Sequence, residues 1–233
     1  MKTLISALLA FLFTFISFTS SQTKESDKFN NYLKNGRWAV QFELGTFINP
    51  EYFQGIELSI KPQLGKSSAL KLGVGFNRST LSGTTKQENI TKPRTDEKSS
   101  FSVSLNYIYY LNPKDRVCFF AGFGPLYTYD DLKQEYSSIY RFGSSTTIYE
   151  TYNSSKQWSV GGRAIMGVEW FLHERVSLLA EYNMEYLIGK YNGTTTSKTY
   201  YTFEPAEIEV RDEALDVTNF RFNIVKIGLS AYF

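Results

Sequence analysis

The sequence predicts an all-β fold, an eight-stranded antiparallel up-and-down transmembrane β-barrel. Three observations predict it: eight segments alternate apolar and polar residues with a period of two, the long polar connections gather on one rim, and the last segment ends on an aromatic residue. In that last segment, residues 221–233, Val225, Ile227, Leu229, Ala231 and Phe233 share one face, and Lys226, Gly228, Ser230 and Tyr232 share the other. Strands divided this way cross lipid only in a closed barrel, because each backbone polar group must find its partner within the protein.

The other seven segments follow in order. Trp38, Val40, Phe42 and Leu44 oppose Gln41, Glu43 and Gly45; Ile56, Leu58 and Ile60 oppose Glu57, Ser59 and Lys61. Leu70, Leu72, Val74 and Phe76 oppose Lys71, Gly73 and Gly75, and Phe101, Val103, Leu105, Tyr107 and Tyr109 oppose Ser102, Ser104 and Asn106. The fifth sets Phe119, Ala121, Phe123 and Tyr127 against Phe120, Gly122 and Gly124. The sixth sets Val160, Ala164, Met166, Val168 and Trp170 against Ser159, Gly161, Arg163 and Glu169. In the seventh, Val176, Leu178, Ala180, Tyr182 and Met184 oppose Ser177, Glu181, Asn183 and Glu185. Each is near the ~9 to 11 residues that a tilted membrane strand requires.

Short turns are expected at 65–68, 112–115 and 173–175, and long polar loops at 78–99, 129–157 and 189–217; a short link near Asn49 to Tyr52 completes the loop rim. This asymmetry is that of small membrane barrels, with short turns on one side and long loops on the other. Trp38, Tyr109, Phe119, Trp170 and Phe233 fall at the turn-side ends of their strands, and Phe76, Phe101, Tyr127, Trp158 and Tyr186 toward the loops. Two interfacial girdles are therefore expected, although aromatics are common in any strand. Pro62 and Pro125 lie inside strands and predict a local bulge at each.

Residues 1–21 read as a signal peptide: Met1 and Lys2, an apolar run from Leu4 to Phe18, then Thr19, Ser20 and Ser21 before a cleavage expected ahead of Gln22. The apolar run is shorter than the ~20 residues of a spanning helix, which weighs against a retained anchor. Residues 22–36 are expected to form a short periplasmic lead, and 37–233 the barrel. With 25 Lys plus Arg against 23 Asp plus Glu there is no basic field for nucleic acid. Cys118 is the single cysteine, so no disulfide staples the fold. A helical membrane protein is excluded, since no long apolar helix follows the leader.

The leader, the eight alternating segments, the one-sided loops and the terminal Ser230-Ala231-Tyr232-Phe233 resemble the outer-membrane β-barrel domain family of the Bacteroidetes type, similar in architecture to OmpA-like and OmpX-like barrels. The resemblance covers about residues 37 to 233. It implies insertion into the outer membrane by the barrel assembly machinery, with Leu229, Ala231 and Phe233 as the assembly signal, and contact with outer-membrane lipid and lipopolysaccharide. It implies no catalytic motif. The competing barrel is a secreted lipocalin-like protein, in which the apolar face would point inward; alternation alone is symmetric between the two. Glycines on the polar face, among them Gly73, Gly75, Gly122, Gly124, Gly161, Gly167 and Gly228, favour a narrow, crowded lumen.

The polar face carries the candidate chemistry. Acids Glu43, Glu57, Glu169, Glu181 and Glu185 nearly balance bases Lys61, Lys71, Arg163 and Lys226, which predicts a lumen charge network. Pairing Leu172 with Val176 would set Arg163 opposite Glu185 with Glu181 diagonal to it, and Lys226 is expected to meet Glu43 across the barrel closure. An eight-stranded interior is about wide enough for side chains, so a salt-bridged plug is favoured over a gated ion path. No cofactor follows from the sequence. Lipid-modifying barrels place a histidine in the outer half; His173, the one histidine here, falls in a turn on the opposite rim, so no enzyme is expected. The acids of the last loop, Glu204, Glu207, Glu209, Asp212, Glu213 and Asp216, match no EF-hand spacing, and solvated loop charge is favoured over calcium. Tyr136, Tyr140, Tyr149 and Tyr152 are candidate contacts for an extracellular ligand or envelope protein, weighed against a plain hairpin extension. The expected function is envelope integrity or surface interaction through long loops, with a narrow ion or small-solute channel as the alternative.

Overall fold

The structure, a computed structural model, describes residues 33–34, 36–45, 55–87, 90–142, 145–201, 205–222 and 225–233. The leader, most of the lead and the link near Asn49 to Tyr52 lie outside them. Among the described residues nine strands form in chain order: β1 (Trp38–Gly45), β2 (Ile56–Pro62), β3 (Ser68–Gln87), β4 (Ile90–Tyr110), β5 (Val117–Phe142), β6 (Ser145–His173), β7 (Val176–Tyr201), β8 (Glu207–Phe222) and β9 (Lys226–Tyr232). All pairings are antiparallel, and β1 to β7 pair consecutively. Pairing of β9 with both β1 and β7 closes the ring. β8 and β9 together fill the eighth wall position, because β8 pairs with the distal part of β7 and β9 with its first residues. The register slips by one between the two: Glu185 opposes Arg221, whereas Glu181 opposes Lys226. Side-chain parity inverts there, which brings both Arg221 and Lys226 to the inner side.

Burial decides between the two barrel readings. Trp38, Val40, Leu58, Ile60, Leu72, Leu105, Val160 and Met166 are exposed on the outside, while Glu43, Glu57, Lys61, Lys71, Arg163, Glu169, Glu181 and Glu185 are buried inside. The lipocalin arrangement is thereby overturned. Residues of both expected girdles project outward, Trp38, Tyr109, Phe119, Trp170 and Phe233 at the turn rim and Phe76, Tyr127, Trp158 and Tyr186 at the other. Phe233 stacks on Trp38 at 4.7 Å, and its amide donates to the Trp38 carbonyl, which fastens the last strand to the first.

The prolines break the ladder without bulging it. Pairing of β4 with β5 stops at Ser104–Leu126 and resumes at Tyr107–Phe123 in the same register, and Pro62 ends β2 before an in-register bridge from Gln63 to Ala69. A missing amide removes one bond and leaves the count of residues on the two strands unchanged. The register shift in the β6–β7 hairpin lies instead between Phe171 and His173, so His173, not Leu172, opposes Val176, while Arg163 still opposes Glu185.

The described residues of the three long polar stretches are almost entirely strand. The β3–β4 ladder continues to Gln87–Ile90, β5–β6 to Phe142–Ser145 and β7–β8 to Thr199–Glu207. β6 alone has 29 residues, roughly 95 Å at ~3.3 Å per residue, against an apolar band ~25 Å tall in membrane barrels. Expecting loops there was an error of the apolar criterion, while the hairpin extension weighed for the tyrosine-bearing stretch is what forms. Above such a band both faces meet water, so the apolar face disappears while threonine, tyrosine and serine keep the backbone extended.

At the turn rim the interior is apolar. Ala39, Ala69, Ile108, Tyr110, Cys118, Phe120, Ile165, Phe171 and Tyr232 form one buried cluster that also takes in Leu33, only 1% exposed, from just before the first strand.

Candidate functional site

Above that apolar floor sits a carboxylate with five donors. Glu169, on β6, accepts from Lys61 Nζ at 2.8 Å, Tyr110 OH at 2.8 Å, Tyr232 OH at 2.6 Å, Ser230 Oγ at 3.2 Å and the Ser177 hydroxyl. Strands β2, β4, β7 and β9 are thus tied to β6 through one side chain. The Lys61 ammonium also donates to Tyr110 and lies 5.1 Å from the Tyr232 ring centroid. Alternation places Lys61 and Glu169 inside, but Tyr110 and Tyr232 gain their role from the third dimension. Their inward parity was the available signal.

The next layer joins the remaining charges. Lys71 pairs with Glu43 and, at 2.8 Å, with Glu181, and stands 3.8 Å from Glu57. Arg163 bridges Glu57 at 3.1 Å and Glu185 at 3.0 Å, and Lys226 pairs with Glu57. The expected network therefore exists, with two partners changed. Lys226 meets Glu57 rather than Glu43, because Lys226 opposes Gly45 while Glu43 opposes Gly228, and the lysine reaches over the side-chain-free Gly45 of β1 to the next strand, β2. Glu181 serves Lys71 rather than Arg163, since it lies opposite Gly167, two pairs from the arginine's diagonal.

Glycines let these long side chains fit. A Cβ on Gly124 would run into the Leu105 carbonyl, and one on Gly161 into the Tyr186 carbonyl, so neighbouring backbones approach there as only glycine allows.

On the loop side of the network a vestibule of about 370 Å³ opens, floored by Glu57, Arg163, Glu185 and Lys226 and walled by Gly75, Ser100, Ser102, Thr128 and Arg221. Sequence reading missed Arg221. Its parity within residues 221–233 was concealed by the register slip.

The candidate tyrosines are engaged within their own hairpin or with the neighbouring ones. Tyr140 meets Tyr149 edge-on at 5.6 Å, Arg94 lies 5.0 Å from the Tyr136 ring, and Lys198 lies 5.6 Å from the Tyr152 ring. The neighbouring Glu150 carboxylate raises the Tyr152 phenol above its ordinary value. These contacts support hairpin rigidity. Among the acids of the last polar stretch, Glu209 pairs with Arg211 at 2.7 Å and Asp212 accepts from Thr194 at 2.8 Å; Glu204 lies outside the described residues. Strand alternation sends Glu207, Glu209 and Glu213 to one face of β8 and Asp212 and Asp216 to the other. His173 ends β6 at the turn rim, exposed. Of the assembly-signal residues, Leu229 opposes Phe42 and Leu178, Ala231 opposes Val40 and Val176, and Phe233 caps the outer face beside Trp38.

No protein-family model and no curated protein matches the chain. Among solved structures, it is similar to a major outer membrane protein of Thermus thermophilus, with 14% identity, TM-score 0.40 and coverage of 84% of this chain and 98% of that one. Acinetobacter baumannii CarO gives 12% identity and TM-score 0.43, covering 87% of this chain and all of the other. The outer membrane protease OmpT of Escherichia coli gives 8% identity and TM-score 0.31, covering 85% and 94%.

Proposed function

We propose that this chain is an integral outer-membrane β-barrel without enzymatic activity that serves envelope integrity or surface interaction through its long hairpins. The observation that carries the reading is the inverted arrangement of the wall: apolar side chains outside, a buried charge network inside. An exposed apolar belt between two aromatic rims is stable against lipid and costly in water. The paired charges fill the lumen instead of lining an open path, and the wall extends on one side only, as hairpins reaching well past the belt. Contact with lipopolysaccharide, insertion by the barrel assembly machinery and an envelope or extracellular partner belong to the same proposal.

Orientation is the direct test. With Cys118→Ala as background, Ser137→Cys in the β5–β6 hairpin is expected to react with a membrane-impermeant maleimide on intact cells. Lys114→Cys, in a turn at the opposite rim, is expected to react only after the envelope is opened. Labelling of Lys114→Cys alone on intact cells would overturn the reading.

A further inference from the structure

We propose that the loop-side vestibule binds a small hydroxylated carboxylic acid, a sugar acid in chemical class, with its carboxylate on Arg221 and its hydroxyls on the wall around Thr128. Every acid lining the vestibule already faces a base: Glu57 is taken by Arg163 and Lys226, Glu185 by Arg163, and Asp130 lies 4.0 Å from Lys98. Arg221 is the fourth base against these three acids, and no described carboxylate lies within ion-pair distance of it. A guanidinium offers five donors in a planar fork matched to a carboxylate.

The far wall asks for different chemistry. Thr128 is 8% exposed and its hydroxyl has no partner among the described residues; the Asn77 Oδ1, also at the vestibule, is buried and equally unpartnered. Ser102 opposes both Thr128 and Gly75, and a Cβ on Gly75 would strike its hydroxyl, so the glycine keeps that group accessible. Buried hydroxyl and amide groups without partners carry a desolvation cost that a polyhydroxylated ligand would remove. Because β8 and β5 stand three wall positions apart, with β6 and β7 between them, the ligand must be anionic at one end and rich in hydroxyls at the other. A neutral sugar leaves the arginine unmatched, and a plain fatty acid leaves the hydroxyl wall unmatched. A volume of about 370 Å³ sits at the small end of ligand sites, which span roughly 300 to 1,000 Å³. The inference rests on the vestibule alone, so it stands or falls separately from the orientation of the barrel in a cell.

The full mature chain, refolded in detergent micelles and checked by its heat-modifiable gel shift, is titrated calorimetrically with glucuronate and with glucose. Saturable binding of one glucuronate per barrel is expected, with glucose at least tenfold weaker. Arg221→Gln is expected to weaken glucuronate at least tenfold and to erase its preference over glucose, as loss of a charge-assisted pair implies. Thr128→Val is expected to weaken both about fivefold while the preference remains. Should Arg221→Gln not refold, Arg221→Lys keeps the charge, loses the fork and is expected to fall between the two. Absence of saturable glucuronate binding by the wild type, or unchanged binding when the Arg221 guanidinium is replaced, would overturn the proposal.

Discussion

Glu169 concentrates more hydrogen bonds than any neighbour in the lumen: an ammonium, two phenols and two hydroxyls converge on it from four other strands. Glu169→Ala would leave Lys61, itself only 1% exposed, as a buried cation without its carboxylate. Removing one partner of such a pair costs about 3–5 kcal/mol, and urea unfolding in micelles is expected to show a loss of that order; a loss below ~1 kcal/mol would mean that Lys61 finds another anion. A backbone argument gives a second residue-level expectation. Gly124→Ala places a methyl against the Leu105 carbonyl and is expected to lower the heat-modifiable fraction on refolding, whereas alanine at Gly162, where the same atom would only graze the Gly124 carbonyl at 4.0 Å, is expected to be tolerated. Alternation set all nine charged residues of the predicted network on the polar face of their strands, because parity is a local property of a strand. The Arg163–Glu185 pair was legible from the β6–β7 register, whereas the pairs made across the lumen were not, since Lys71 and Glu181 lie on β3 and β7 and meet only there.

The hairpins are elements in their own right. Above the membrane-length wall, β5 and β6 pair through Gln134–Asn153 and on to Phe142–Ser145 with no register shift, so backbone bonding there is satisfied within the hairpin and its neighbours. Replacing residues 134–153 by a two-residue Asn-Gly turn between Lys133 and Ser154 is therefore expected to leave refolding and the gel shift intact while impairing adhesion or envelope phenotypes. Wild-type behaviour in every surface and envelope assay would remove the interaction part of the proposed function. At the other end of the chain, Phe233 joins β9 to β1 by ring stacking and a backbone bond. Deleting it is expected to reduce the amount of barrel inserted in cells more than it reduces refolding yield in detergent. An equal loss in both would assign Phe233 to closure alone.

For the whole molecule the decisive property is whether the interior conducts. The apolar cluster around Phe171, Phe120 and Leu33 closes the turn end, and the ion-paired layers close the middle. Folded protein in planar bilayers is expected to give flat current traces, and Arg163→Ala to give either silence or unstable, short-lived openings as Glu57 and Glu185 lose their shared cation. Discrete, reproducible openings of the wild type would replace the plug with the narrow-channel alternative. By itself the sequence determined the all-β class, the eight-position wall and the division of each strand into an apolar and a polar face, because a two-residue period follows from strand geometry alone. Tertiary structure alone decided that the apolar face is the outside, that the polar stretches continue as paired strands, and that the slip between β8 and β9 turns Arg221 inward. The paired extensions follow from contacts between neighbouring strands, and the other two depend on closing the ring: until β9 pairs with β1, neither an inside nor a set of cross-lumen partners exists.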